Sequence, residues 1–166
     1  MNRMLAILMV LIGATFPATA EEWVRFDNEK YDYSVEVPAH FEMQYPDEEG
    51  WTFVDASGAR LIVFAGTIFD TAFEGEASNK IVFAGDSGWE IIDSLVGQER
   101  MKFTGTKGSR VLEGYGIWLC NPSAVFINFE YNKALAGTYA PVVERVKVSL
   151  TPPAGCDLQE GFYYSP

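Results

Sequence analysis

The chain has 166 residues, with 12 Lys and Arg against 23 Asp and Glu, for a formal net charge of −11. That length makes one domain with a real core. Charge of this sign repels nucleic acid and anionic lipid surfaces, so neither is an expected partner; it suits a basic partner, a cation or plain solubility.

Met1-Asn2-Arg3 opens the chain with one positive charge. An apolar run from Met4 to Ile12 follows, then Gly13, Pro17 and the small residues Ala18-Thr19-Ala20. These parts match the charged start, apolar middle and cleavage site of a secretory signal, with cleavage expected after Ala20. A membrane anchor needs about 20 apolar residues, and this run is shorter and interrupted. No second long apolar stretch follows, so the mature chain, residues 21–166, is expected to have no membrane span and to be periplasmic or secreted. The signal holds one Arg and no acid, which leaves the mature chain at −12.

Trp23-Val24-Arg25-Phe26 reads as a short extended piece ended by Asp27-Asn28. Tyr31, Tyr33, Val35 and Val37 alternate with polar residues, the period of a half-buried strand that Pro38 stops. Residues 39–50 read as an acidic loop ending in Asp47-Glu48-Glu49-Gly50. Trp51 to Val54 and Leu61 to Phe64 flank Asp55-Ala56-Ser57-Gly58, a hairpin with turn residues in place. A first helix is expected over 70–84. Thr71 and Glu74 have capping-box spacing, and Phe73, Ala77 and Ile81 form one face. Trp89 to Ile92 and Met101 to Phe103 read as strands. Tyr115, Ile117 and Leu119 alternate, as do Val125, Ile127, Phe129 and Tyr131, which marks long central strands. A second helix is expected near 133–148, with Pro141 in its first turn and Val142, Val146 and Leu150 on one face. Val146, Val148 and Leu150 also alternate like a strand, which leaves both readings open. Strands, helix, strands, helix make an α+β domain on a mainly antiparallel sheet.

Cys120 and Cys156 both lie in the mature chain. In an oxidising compartment an isolated pair joins, closing a loop of about 36 residues and tying the C-terminal tail to the body. The expected organisation is a signal over 1–20, a single domain over 21–152 and a tied tail over 153–166.

No catalytic constellation stands out. His40 is the one histidine, placed after a strand-ending proline, and needs no role there. Gly85-Asp86-Ser87-Gly88 echoes a protease nucleophile motif, but those residues equally make a turn, and the chain is too short for the two-barrel fold. Gly105-Thr106-Lys107-Gly108-Ser109 lacks the phosphate-loop order and reads as a strand connection. Asp47, Glu48 and Glu49 could hold calcium or meet a basic protein, but calcium-loop spacing is missing. Asp70, Glu74 and Glu76 are ambiguous in the same way. No metal site and no cofactor is expected. Tyr45 and Trp51 flank the acidic stretch, where an exposed aromatic is an interface anchor. Trp51 also starts a strand, so core and surface both stay open for it, whereas Phe53 reads as core.

Trp23-x-x-Phe26-x-Asn28-x-x-Tyr31-x-Tyr33-Ser34-Val35-x-Val37-Pro38 resembles the opening of small exported bacterial proteins with a PsbP-like fold. The hairpin Trp51 to Phe64, Gly88-Trp89, Cys120 and the closing Ser149-Leu150 follow the same order, so the resemblance covers most of residues 21–152. Asp32 departs from it, since a Gly often stands between the two aromatics, and the 70–84 helix is weaker than that family leads one to expect. The resemblance implies a curved, mainly antiparallel sheet with helices packed against it, a PsbP-like α/β/α sandwich. It implies action by protein binding and carries over no catalytic residue.

Three functions remain. The first is a non-enzymatic exported interaction module for an envelope component or basic protein, with Tyr45, Asp47, Glu48, Glu49 and Trp51 as contacts. The second is an inhibitor or immunity protein against a basic hydrolase. The third is a small carboxylate-dependent hydrolase, whose paired acids the sequence does not place in space.

Overall fold

The central strands alternate apolar and polar side chains strongly enough to build two layers of core. The computed structural model describes residues 21–69 and 72–158. Strands β1 (Trp23–Asn28) and β2 (Tyr33–Pro38) form a separate hairpin. The main sheet holds β3 (Glu42–Pro46), β4 (Gly50–Val54), β5 (Arg60–Thr67), β6 (Glu90–Val96), β7 (Arg100–Lys107), β8 (Arg110–Trp118) and β9 (Ser123–Asn132). Its order is β3-β4-β5-β9-β8-β7-β6, with every neighbour antiparallel. Helix α1 (Phe73–Asp86) follows β5, and α2 (Ala136–Ser149) follows β9.

Antiparallel partners share a face, so the register sorts the side chains. Phe53, Leu61, Val63, Val125, Ile127 and Phe129 point to one side. There they meet Val142, Val143 and Val146 of α2 together with Tyr33, Val35 and Val37 of β2. Phe64, Phe126, Met101, Phe103 and Leu112 point to the other side and meet Phe73 and Ala77 of α1. Two β8 glycines make room in that second core. A Cβ at Gly114 would lie 1.9 Å from the Phe103 ring, and one at Gly116 2.5 Å from the Phe126 ring.

The middle of the segment read as an acidic loop is a strand. Residues 42–46 pair with β4 through Glu42↔Val54, Met43↔Phe53, Tyr45↔Thr52 and Pro46↔Trp51, with the register shift between Met43 and Tyr45. All five are exposed, so no apolar alternation marked them; backbone pairing to β4 makes the strand. Helix α1 begins at Phe73 behind Ala72, which makes no side-chain cap. Thr71, expected to cap, lies outside the described residues. Glu74 and Glu76 sit in the first turn, where the helix dipole favours carboxylates. Gly85-Asp86-Ser87-Gly88 closes the helix: Gly88 takes φ +87°, and the Ser87 amide donates to the Phe83 carbonyl.

The second helix settles as a helix. Val148 is 84% exposed while Val142, Val143 and Val146 are buried, a pattern no strand would give. Pro141 is not in its first turn. A 3-10 turn at Lys133–Leu135, capped by Asn132 Oδ1 on the Ala134 amide, starts the winding earlier and leaves Pro141 inside the helix on its exposed side. After α2, Ser34 and Thr151 exchange two backbone hydrogen bonds, and the Cys120–Cys156 disulfide joins the chain at a Cα–Cα distance of 5.5 Å. No described helix is long and apolar enough to cross a membrane.

Candidate functional site

Two surfaces are built with more structure than their exposure alone requires. The first is the tip of the β3–β4 hairpin. Asp47 Oδ1 accepts the amides of Glu49 (2.8 Å) and Gly50 (2.9 Å), so this acid shapes the turn. Glu48 is tied down on both its polar ends. Its carbonyl accepts Asn28 Nδ2 (3.4 Å), and its carboxylate pairs with Lys30 (3.2 Å). The Glu49 carbonyl accepts the Ala65 amide at 2.7 Å. The three acids are therefore presented on a braced turn rather than a loose loop.

The aromatic residues expected beside them separate. Trp51 is half-buried, with its ring 5.9 Å from Phe26 and 5.8 Å from Tyr33, and belongs to the α2-side core. Phe53 is fully buried, as expected. Tyr45 is 72% exposed. The irregularity at Gln44 sets Tyr45 opposite Thr52 rather than Trp51, and so turns it to the α1 side of the sheet.

The second surface lies on that same side. Helix α1 packs chiefly over β6 and β7, and its Phe73 and Lys80 reach across to Phe126 of β9 and Phe64 of β5. Between the helix and strands β5, β8 and β9 runs a groove of about 500 Å³, its apolar wall made by Ile62, Phe64, Phe83, Trp89 and Leu112. Phe83 is 71% exposed on the helix above it. Lys80 Nζ sits 5.3 Å from the Phe64 ring centroid and 5.4 Å from that of Phe126, and bonds Glu76 at 2.7 Å. Glu130 is held between Arg60 (3.7 Å) and Arg110 (3.4 Å). The sequence missed this groove because its walls come from α1, β5, β8 and β9; the signal available was two apolar residues, Val82 and Phe83, on the helix face away from Phe73 and Ala77.

Two further acids, Asp55 and Glu113, bond tyrosines of the α2-side layer. Burial alone would push Asp55 up, but the Tyr139 and Ser57 hydroxyls and the amides of Ala59 and Ser57 outweigh it and hold the carboxyl below its ordinary 3.8. Tyr139 is raised, by burial first and then by its bond to Asp55. A depressed folded carboxyl stabilises the protein above the unfolded value and loses that contribution as pH falls through the folded one. Tyr139→Phe should therefore cost about 1–2 kcal/mol near neutrality and make stability less steep on acidification below pH 3.8. Urea titrations from pH 6 to 2.5 measure both, and an unchanged acid slope would refute the assignment. Burial, then the bond to Glu113, raises Tyr131 well above the ordinary phenol range. His40 is half-exposed, 3.3 Å from Glu21, with its ring tilted against that of Phe41 at 4.9 Å. Ala20 lies outside the described residues, as do Asp70 and the tail beyond Leu158. No group of three or more His, Cys, Asp or Glu able to hold a metal occurs among the described residues.

The sheet, its two helices and their order define a PsbP/Mog1-like α+β fold. Similar solved structures carry that comparison. One is the cyanobacterial PsbP protein CyanoP of Synechocystis, at TM-score 0.59 and 12% identity, covering 85% of this chain and 98% of that one. Another is the Ran-binding protein Mog1p of Saccharomyces cerevisiae, at TM-score 0.58 and 10% identity, covering 79% of this chain and 95% of that one. A mutant form of Mog1 matches with the same score over 80% and 97%. At these identities the likeness fixes the fold. No family model and no curated protein sequence matches the chain.

Proposed function

We propose that this chain is an exported, non-enzymatic protein-interaction module that meets a basic partner through the β3–β4 tip. The observation that carries this reading is Tyr45, 72% exposed on a strand and next to the braced acids Asp47, Glu48 and Glu49. A large aromatic held out of the core on regular structure costs little conformational entropy to dock, and neighbouring carboxylates steer a cationic surface toward it. That one of the similar folds is a Ran-binding protein supports protein recognition as the general mode. The leader-like first 20 residues and the cysteine pair support a periplasmic or secreted location.

Capture from envelope extract with immobilised residues 21–166 tests this. A partner retained at low salt and released at high salt is expected, because exposed charge pairs are screened. Tyr45→Ala should weaken its capture by about tenfold or more, and Glu49→Gln should mainly slow association. Capture indifferent to both substitutions would refute this surface. A rigid acidic turn carrying an aromatic also suits insertion into the cleft of a basic hydrolase; stoichiometric loss of such an enzyme's activity would select that narrower form.

A further inference from the structure

The groove under α1 differs in charge from the rest of the molecule. Lys80 and Glu130 are the charged residues that line it, and Glu76, Arg60, Arg110 and Lys107 bond to lining residues. That makes four cations and two carboxylates at one site, in a protein with 12 basic and 23 acidic residues. Both carboxylates are already engaged. Glu76 bonds Lys80, and one oxygen of Glu130 faces both guanidinium groups. Lys107 Nζ donates to the Ser87 carbonyl at the C-terminal end of α1 (2.8 Å), where the helix dipole favours a cation. The floor is apolar: Ile62, Phe64 and Leu112 from the sheet, Phe83 and Trp89 from the helix and its exit.

We infer that this groove binds a single-chain amphipathic carboxylate of the fatty-acid kind, with the chain against Phe64, Leu112 and Phe83 and the head at Lys80. The volume, about 500 Å³, falls in the range of small-molecule sites. An ammonium has three donors, and Glu76 takes one of those on Lys80, so a ligand carboxylate joins that pair without displacing it. Charge complementarity selects an anion at this face even though the molecule as a whole repels one. Neither Tyr45 nor the acidic turn is among the residues lining the groove, and the inference does not depend on their role.

Isothermal titration of residues 21–166 with dodecanoate, and separately with dodecyltrimethylammonium, tests the inference. Dodecanoate should bind saturably at one site, and the cationic amphiphile of equal chain length at least about tenfold more weakly. Lys80→Gln should reduce dodecanoate affinity about tenfold. Phe83→Ala, at an exposed position that the fold does not need, should reduce it by a factor of about 3 to 10. Absence of saturable dodecanoate binding, equal binding of the two amphiphiles, or binding insensitive to both Lys80→Gln and Phe83→Ala would each overturn the proposal.

Discussion

Replacing Cys120 and Cys156 together by Ser should lower stability by about 3–4 kcal/mol on chain-entropy grounds, for a bridge spanning 36 residues. In a domain of this size that is a fall in melting temperature of about 10 °C. The bridge fixes a segment that little else holds. Beyond the Ser34–Thr151 bonds, the chain from Pro152 to Leu158 is anchored by Leu158 against the α2-side core and by the disulfide. Cys120 also sits at φ +58°, a conformation that suits glycine. The pair Cys120→Gly with Cys156→Ser should therefore lose less than the double Ser variant. Urea unfolding of the three proteins measures this. A loss under about 1 kcal/mol for the double Ser variant would mean that the open chain is already constrained there.

Gly50→Ala should be as damaging, by at least about 3 kcal/mol. An added Cβ at Gly50 would lie 1.9 Å from the Val63 carbonyl oxygen and 2.7 Å from the Phe64 Cα. Both are backbone atoms of β5, so no rotamer change relieves the contact. The strands would have to part at the Gly50↔Phe64 pair, where the Ala65 amide bonds the Glu49 carbonyl. The acidic turn would move with them. Gly50→Ala should consequently weaken partner capture beyond the effect of Glu49→Gln. Thermal unfolding with parallel capture checks both, and a variant as stable as the parent would contradict the close approach. By contrast, Gly58 has open space beside it and takes φ +79°, so Gly58→Ala should show only the smaller cost of a left-handed backbone.

Particular residues mark how far the sequence could be read. Period-two runs such as Val125, Ile127, Phe129 and Tyr131 identified central strands, because a face buried under a helix must be apolar at every second position. The turn chemistry of Asp55 to Gly58 was equally plain, and Asp55 does accept the Ser57 and Ala59 amides. Asp32, which stands where the resembling proteins often have Gly, takes φ +53°, a backbone that favours Gly and that a short acid tolerates. Strand β3 was not legible, since an exposed edge strand needs only a backbone partner and shows no pattern. Nor was the choice of helix for Val142 to Val148, which rested on which valines the sheet would cover.

The candidate site divides in the same way. The acids at 47–49 and the neighbouring Tyr45 could be selected as a local cluster, and they lie together on one hairpin. Trp51 could not be separated from Tyr45 until the shift at Gln44 put them on opposite faces. The groove depended wholly on distant segments, with Phe64, Phe83 and Leu112 brought together from β5, α1 and β8. The sequence by itself determined charge, alternation, turns and a cysteine pair, because each is a property of near neighbours or of composition. Only the tertiary structure decided which faces stay uncovered and where Lys80, Arg60, Arg110 and Lys107 gather, because sheet order and helix placement follow from packing among segments far apart in the chain.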